Sequence, residues 1–283
     1  MRDKGNTLTR KLIERYAAHL REQERARNTI QKYMHDLTAL WEWLDGRPLD
    51  KAVLIEWKEH LIAAYAAASV NSMLAAVNGF LRFMGWQQMM VKPLKIQKRM
   101  FCDEDRELTK EEYRRLVEAA GQEGNERLAL VLQAICATGI RVSELKFITV
   151  EAVRLGRAEI NNKGKLRTVF LPGRLCEQLK RYLRKDKRTQ GAIFVTRTGK
   201  PLDRSNIWRD MKKLCESAGV EPEKVFPHNL RHLFARTYYS IEKDISRLAD
   251  ILGHSNIDTT RIYTIESGRI HARQMERMGL MIT

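Results

Sequence analysis

The sequence predicts a mainly α-helical protein of two domains, with one small antiparallel β-sheet in the second domain. Three observations lead to this fold class. At 283 residues the chain exceeds the ~100–200 residues of a usual single domain. Apolar residues recur at three- and four-residue spacing along most of its length. One stretch, residues 158–171, is instead rich in β-forming residues on either side of a turn signal.

The first half carries the pattern of four helices between residues 7 and 86. Asp50 and Ser69 stand where N-caps would begin the third and fourth helices, because their side chains can accept a hydrogen bond from the first turn. Gly85 is suited to end the fourth, since glycine readily takes the left-handed conformation that closes helices. We therefore assign residues 1–98 to a helical N-terminal domain.

A change of composition separates the two halves. The stretch VKPLKIQKRMFCDEDREL has a proline, a basic run and an acidic run but no helical period, and we assign residues 99–106 to a linker. The second domain, residues 107–283, opens with Thr109 and Glu112 at the spacing of a capping box. Its sheet is predicted as a β-hairpin over AEINNKGKLRTVFL, with Asn-Asn-Lys-Gly as the turn.

The formal charge of +16 is spread over both halves. Residues 1–98 hold 16 Lys/Arg against 10 Asp/Glu, and residues 99–283 hold 35 against 25. A basic surface in two parts suits a polyanion, because neutralising phosphates releases condensed counterions. From charge alone, a basic protein with solvated helix faces is an equally good interpretation.

The cysteines and the chain start exclude several classes of protein. Cys102, Cys136, Cys176 and Cys215 form no C-x-x-C pair and have no histidine at metal-ligand spacing, so neither a zinc site nor a disulfide framework is predicted. We expect reduced thiols in a cytoplasmic protein. The opening MRDKGNTLTRKL lacks the apolar stretch of a secretory signal, and no apolar run reaches the ~18 residues that cross a membrane.

Candidate phosphate-binding and proton-transferring groups occur at predicted helix ends of the second domain. Arg141 follows a helix that ends at Gly139, and Ser143 is able to cap the next helix. The alternative is an ion pair between Arg141 and Glu144 at a surface turn. If Arg141 is considered without the other candidate residues, the ion pair at a surface turn is the favoured interpretation.

A second candidate group lies just after Pro227. His228 and Arg231 fall on one face of the first turn of HNLRHLFARTYY, and a helix N-terminus favours a nearby anion. The alternative is a core histidine with a surface arginine. His232, one position further round the helix, fits a core role better than His228 does.

The third candidate group follows helix DISRLADILG, which Asp244 caps and Gly253 ends, so that His254 projects from the next turn. Asp258 would then begin a helix with Tyr263 on its second turn. A lone tyrosine is usually core packing. Two arginines, two histidines and a tyrosine together, however, are the groups that cleavage of a phosphodiester without a metal requires.

Three stretches, ATGIRVSEL, PHNLRHLFA and LGHSNIDTTRIYT, resemble the tyrosine recombinase family, also called the phage integrase family, and most closely its two-domain Xer-type members. The order Arg, His-x-x-Arg, His and, nine residues on, Tyr is a specific signal. The likeness is strong over residues 107–265 and depends on helix number and length over residues 1–98. It implies a SAM-like core-binding domain and an α-rich catalytic domain that close around DNA as a clamp.

The resemblance also implies a role for each candidate residue. Arg141 and Arg231 would hold the non-bridging oxygens of the scissile phosphate and stabilise the pentavalent transition state. His228 would act in proton transfer with the tyrosine, and His254 would donate to the phosphate. Tyr263 would attack phosphorus and form a 3′-phosphotyrosine. Because that bond stores the energy for rejoining, no cofactor, metal or ATP is expected.

The family's remaining roles fall on Glu144 and on a lysine of the hairpin. Glu144 would orient its neighbours. Lys163 would protonate the departing 5′-oxygen, with Lys165 as the alternative because the hairpin is short. The chain departs from the family pattern at Leu233, where a small hydroxyl residue is favoured, and at Arg236, which replaces another small residue.

The expected partners are double-stranded DNA with inverted-repeat core sites and further copies of the chain, as a homotetramer on two synapsed sites in the nucleoid, with no membrane. The alternatives are a type IB topoisomerase-like enzyme, which relaxes DNA as a monomer, and a DNA-binding protein that has lost catalysis. Apolar residues of a predicted last helix would dock on a neighbouring subunit or fold back on their own domain, namely Ile270, Met275, Met278 and Ile282.

Overall fold

The protein is seen here in a computed structural model that describes residues 6–96, 104–162, 165–263 and 275–278. The chain divides into two compact units, Met1–Lys98 and Arg99–Thr283. Helices dominate both units, and the described residues contain a single two-stranded antiparallel sheet. The predicted fold class is therefore confirmed.

The first unit contains the four predicted helices, α1 (Arg10–Glu22), α2 (Arg27–Leu44), α3 (Lys51–Ala64) and α4 (Ala67–Phe83). Asp50 caps α3 as predicted, since its carboxylate accepts from the N–H of Val53 at 2.8 Å. The predicted cap at Ser69 is wrong, because α4 begins at Ala67. Alanine is the best helix former, and the Ala run ahead of Ser69 joins the helix. Gly85 follows α4 with φ +76°, as predicted.

The core of the first unit is built from apolar residues of all four helices, with Trp57 and Phe80 among its largest buried side chains. Two asparagines of α4 then hold the segment that follows it. The amide of Asn78 exchanges hydrogen bonds with the backbone of Val91 at 2.8 and 3.1 Å. Asn71 does the same with Leu94 at 2.9 and 2.7 Å.

The second unit has a core of its own, to which its helices and its hairpin contribute. Its helices are α5 (Lys110–Gln122), α6 (Glu126–Thr138), α7 (Val150–Leu155), α8 (Gly173–Asp186), α9 (Arg204–Ala218), α10 (Pro227–Glu242), α11 (Ile245–Leu252) and α12 (Asp258–Arg261). The capping box at α5 is confirmed: Thr109 accepts from Glu112 N–H at 3.1 Å, and Glu112 accepts from Thr109 N–H at 2.8 Å. The part of the predicted linker that is described, Glu104–Arg106, forms a 3-10 turn.

The predicted hairpin is formed by β1 (Arg157–Asn162) and β2 (Lys165–Phe170), in a register that pairs Asn162 with Lys165. Alternation directs Val169 into the core and leaves Phe170 74% exposed. Arg167 shares the inward face with Val169. This alternation brings a charged side chain of the hairpin towards the interior.

One predicted helix start and one predicted helix end differ from the structure, whereas Asp258 begins α12 as predicted. The segment after Gly139 is a 3-10 helix, Val142–Phe147, with Arg141 in the N-cap position, so Ser143 does not cap it. Helix α12 ends at Arg261, and Tyr263 lies two residues beyond it instead of on its second turn. Within the described ranges no helix is both long and apolar enough to span a bilayer.

Candidate active site

Arg231 connects three segments of the second unit. It lies in the second turn of α10, which begins at Pro227, and only 2% of the residue is exposed. Its guanidinium donates to the carbonyl of Gly139 at the end of α6 and to that of Leu252 at the end of α11, the latter at 2.7 Å. It also donates to Nε2 of His254 at 3.0 Å. The surface-arginine alternative is therefore wrong.

Gly139 makes this convergence possible. It has φ +64°, and a Cβ at this position would lie 2.5 Å from the ring of Phe234 on α10. Only glycine accommodates both the left-handed backbone and this close approach. The helix end predicted from glycine thus also sets the packing of α6 against α10.

Glu144 is the hub of a second set of contacts and is 1% exposed. Its carboxylate accepts from Arg141 Nη1 and from the Arg141 backbone N–H, both at 3.0 Å. Arg167 Nη2 donates to it at 2.5 Å. Burial alone would raise the pKa of Glu144, but the Arg141 N–H and the two guanidiniums outweigh it and the net shift is downward. The ion pair of the alternative interpretation is thus present, but its carboxylate is buried and is shared with Arg167.

Arg167 was missed by the sequence analysis, which considered only lysines of the hairpin. Besides Glu144 it donates to the carbonyl of Ile251 near the end of α11. Its side chain also lies against Gly253, where an added Cβ would be 2.6 Å from Arg167 Cδ. The signal available was its inward position in the strand alternation.

Arg141 and His228 face a common cleft of about 280 Å³. Arg141 is 35% exposed at its side chain, so its charge remains accessible. Arg231 and Arg204, the first residue of α9, also line the cleft. Burial, with further contributions from His232 and the arginines, lowers the pKa of His228 to about 4. The cleft therefore presents three guanidiniums and a neutral imidazole, which suits an anion.

His254 is held in one tautomer by its two partners. Because a guanidinium only donates, Nε2 must accept from Arg231, so the ring proton is on Nδ1. Nδ1 then donates to the hydroxyl of Thr260 at 2.9 Å. Burial and then the charge of Arg231 lower the pKa of His254 to about 4. For Nε2 to donate to a phosphate, the bond from Arg231 would have to break and Nε2 would have to carry a proton. Thr260, which is fully buried, was not among the predicted residues.

Tyr263 is 3% exposed and packs between imidazole rings. Its ring lies edge-on to that of His232, with centroids 4.7 Å apart, and stacks on that of His254 at 6.0 Å. Tyr263 also lies near enough to Arg231 to raise the pKa of its guanidinium. Burial and then Arg141 lower the pKa of Arg231 to about 10, so it stays charged at neutral pH.

The structure thus brings together five of the predicted residues, Arg141, His228, Arg231, His254 and Tyr263, within one unit. Lys163 lies outside the described residues. Lys165 opens β2, but its side chain is outside the description too. No cluster of three metal-ligating side chains occurs among the residues described.

The comparisons with known proteins are consistent with this site. The family described as "Phage integrase family" matches residues 106–268, which is more than half of the chain. The chain belongs to the phage integrase family. Residues 13–88 match the SAM-like N-terminal domain of phage integrases, as the sequence predicted. Membership makes the chain a tyrosine-type site-specific DNA recombinase.

Curated relatives of this phage integrase family member include Xer recombinases. It is 28% identical to tyrosine recombinase XerA of Pyrococcus furiosus over 99% of this chain and 98% of that protein. It is 30% identical to tyrosine recombinase XerD of Xanthomonas campestris over 94% and 92%. A lambda integrase tetramer, solved on a Holliday junction, superposes with a TM-score of 0.75 at 19% identity, covering 92% of this chain and 78% of that chain. At that identity the likeness shows the fold alone.

Proposed function

We propose that this recombinase cleaves and rejoins DNA through a covalent 3′-phosphotyrosine on Tyr263, without metal or ATP. The observation that carries the proposal is Arg231, a buried guanidinium that lines the anion-binding cleft, hydrogen bonds to His254 and lies near Tyr263. A phosphate bound there would be activated and placed beside the nucleophile by one and the same side chain.

In the proposed step, the Tyr263 oxygen forms a bond to phosphorus while the bond to the 5′-oxygen breaks. Arg141 and Arg231 stabilise the charge on the non-bridging oxygens. His228 is neutral at pH 7, since its pKa is about 4, and it is able to accept the tyrosine proton. Rejoining is the reverse attack by the free 5′-hydroxyl, so the bond energy is conserved and ATP is not needed.

Protonation of the departing 5′-oxygen is assigned to Lys163, with Lys165 as the alternative. Glu144 orients Arg141 and Arg167. His254 takes part as a donor to the phosphate once its bond with Arg231 is exchanged. These assignments come from the resemblance. The burial of the Glu144 carboxylate between Arg141 and Arg167 supports its role in orienting them.

Replacing Tyr263 by Phe tests the proposal directly. The wild type is expected to form an SDS-resistant adduct on a nicked suicide substrate, and Tyr263→Phe to form none while binding the duplex nearly as well. The reason is that only the hydroxyl is the nucleophile, whereas the arginines provide most of the phosphate contacts. An adduct formed by the Phe variant would show that the nucleophile is wrongly assigned.

The proposed substrate is double-stranded DNA with inverted-repeat core sites, bound by both basic domains in the cytoplasm at the nucleoid.

The proposed assembly is a homotetramer on two synapsed sites, in which residues 268–283 of each copy dock on a neighbour. An apolar groove of about 570 Å³ between α5 and α10 supports this assembly, because it could receive the docking segment of a neighbouring copy. Phe234, Tyr238 and the 69% exposed Ile241 line it. Met275 and Met278, both exposed, are the described apolar residues of the docking segment.

A further inference from the structure

Glu107 is an acidic residue outside the cleft that contacts the surroundings of the nucleophile. One of its carboxylate oxygens lies 3.6 Å from Nδ1 of His232, and the other accepts from Nη1 of Arg236 at 3.2 Å. Its side chain is 18% exposed. Burial would raise the pKa of Glu107, but His232 and then Arg236 outweigh it, so the net shift is downward. Glu107 is therefore an anion at neutral pH, paired with two side chains of α10.

His232 transmits this contact to the nucleophile. Its ring meets that of Tyr263 edge to face, with an interplanar angle of 88° and centroids 4.7 Å apart. It also lies edge-on to His228, with centroids 4.7 Å apart. Tyr263 lies two residues beyond α12, which ends at Arg261, and its N–H donates to the carbonyl of Thr260 at 3.0 Å. The ring's position is set by the side chains that touch it.

The backbone that carries Glu107 is itself fixed. The next residue, Leu108, is 2% exposed, and Thr109 then caps α5. On the other side, the carbonyl of Arg106 accepts from the amide of Asn229 on α10 at 2.8 Å. A carboxylate anchored on both sides is able to hold an imidazole in one orientation.

We propose that Glu107 and His232 are positioning residues that hold the Tyr263 ring in line with the scissile phosphate. This inference rests on the proposed function, because it takes Tyr263 as the nucleophile. Arg236, where the chain departs from the family pattern, is the second anchor of the Glu107 carboxylate. Removing the carboxylate leaves the phosphate-binding arginines in place and loosens His232 and the two rings it contacts, those of Tyr263 and His228.

The test measures cleavage by Glu107→Gln in a single turnover on a nicked suicide duplex. The rate is expected to fall by about 10- to 100-fold, because small misplacement of a reacting group has effects of this size. The affinity for the duplex should not change, since Glu107 does not line the cleft. Glu107→Asp should recover part of the rate, because it restores a carboxylate one methylene shorter.

Glu112→Gln is the matched control. Glu112 forms an equally sheltered ion pair with Lys224 at 2.9 Å, with side chains 13% and 16% exposed, and the structure gives it no contact with Tyr263. The amide still offers an oxygen to the capping box. A slowing caused by general loss of stability would therefore appear in both variants, whereas loss of positioning would appear only in Glu107→Gln.

A double-mutant cycle completes the test. His232→Asn should slow cleavage about as much as Glu107→Gln, and the double variant should be no slower than His232→Asn alone, because both changes break one chain of contacts. His232→Asn leaves the Glu107–Arg236 pair, so it decides the question even if Glu107→Gln does not fold. Cleavage by Glu107→Gln or His232→Asn at the rate of Glu112→Gln, or effects that multiply, would overturn the inference. An adduct formed by Tyr263→Phe would instead overturn the proposed function.

Discussion

Protonation of two histidines of this site, His228 and His254, affects the stability of the folded protein. His228 and His254 both have a pKa of about 4, below the ordinary 6.5, because burial and neighbouring arginines disfavour their charged forms. Between pH 4 and pH 6.5, these two histidines therefore bind protons in the unfolded chain but not in the native state. The stabilisation is therefore fully present above pH 6.5 and is lost as the pH falls towards 4.

We expect the melting temperature of the free protein to fall between pH 6.5 and 4.5, and His228→Asn and His254→Asn each to make that fall shallower. His60→Asn is the control, since His60 is an exposed histidine on α3 of the other unit. Melting curves across this range, recorded without DNA, provide the measurement. A fall as steep in both site variants as in the wild type would contradict the lowered pKa values.

The hairpin is the element to which we assign leaving-group protonation, because the sequence places the proposed general acid, Lys163, and its alternative, Lys165, at its predicted turn. We expect Lys163→Ala to cleave ordinary DNA slowly and DNA with sulfur at the bridging 5′ position at a largely restored rate. Sulfur leaves without protonation, so it bypasses a missing general acid. Lys165→Ala is tested in parallel, and Lys180→Ala, an exposed lysine of α8, is the control. Equal slowing of Lys163→Ala on both substrates would move the role to Lys165 or another group.

At the scale of the whole molecule, both units carry excess positive charge, and each has a core of its own. We expect log K for the specific duplex to fall linearly with log salt, with a slope of about 0.9 per neutralised phosphate. Either unit alone should bind much more weakly than the full chain, because it loses its share of phosphate contacts. Equal binding by residues 107–283, or an affinity insensitive to salt, would contradict a two-domain grip on DNA.

Assembly is the second property of the whole molecule. Deleting residues 268–283 should leave nicking or relaxation but reduce strand exchange, because the groove between α5 and α10 of the neighbour would lose its occupant. Ile241→Asp, in the groove itself, should have the same effect with the tail intact. Strand exchange on paired sites, compared with adduct formation on one site, separates the two activities. Unimpaired strand exchange by the truncated chain would show that residues 268–283 do not make the contact between subunits.

The sequence by itself determined the features that depend on a few neighbouring residues: helix periodicity, the capping box at Thr109, the hairpin, and the order of arginines, histidines and tyrosine. Its errors, at Ser69, at Ser143 and at the end of the helix that Asp258 begins, concern exact helix limits, where alternative caps differ little in energy.

Only the tertiary structure decided which groups are buried and paired. Arg231 is a site residue because the ends of α6 and α11 converge on it, and Arg167 reaches Glu144 from the inward face of the hairpin. The tautomer of His254 and the Glu107–His232–Tyr263 contacts likewise depend on segments far apart in the chain. The physical reason is that local patterns reflect backbone preferences over a few residues, whereas the burial and pairing of a charge depend on which distant segments pack around it.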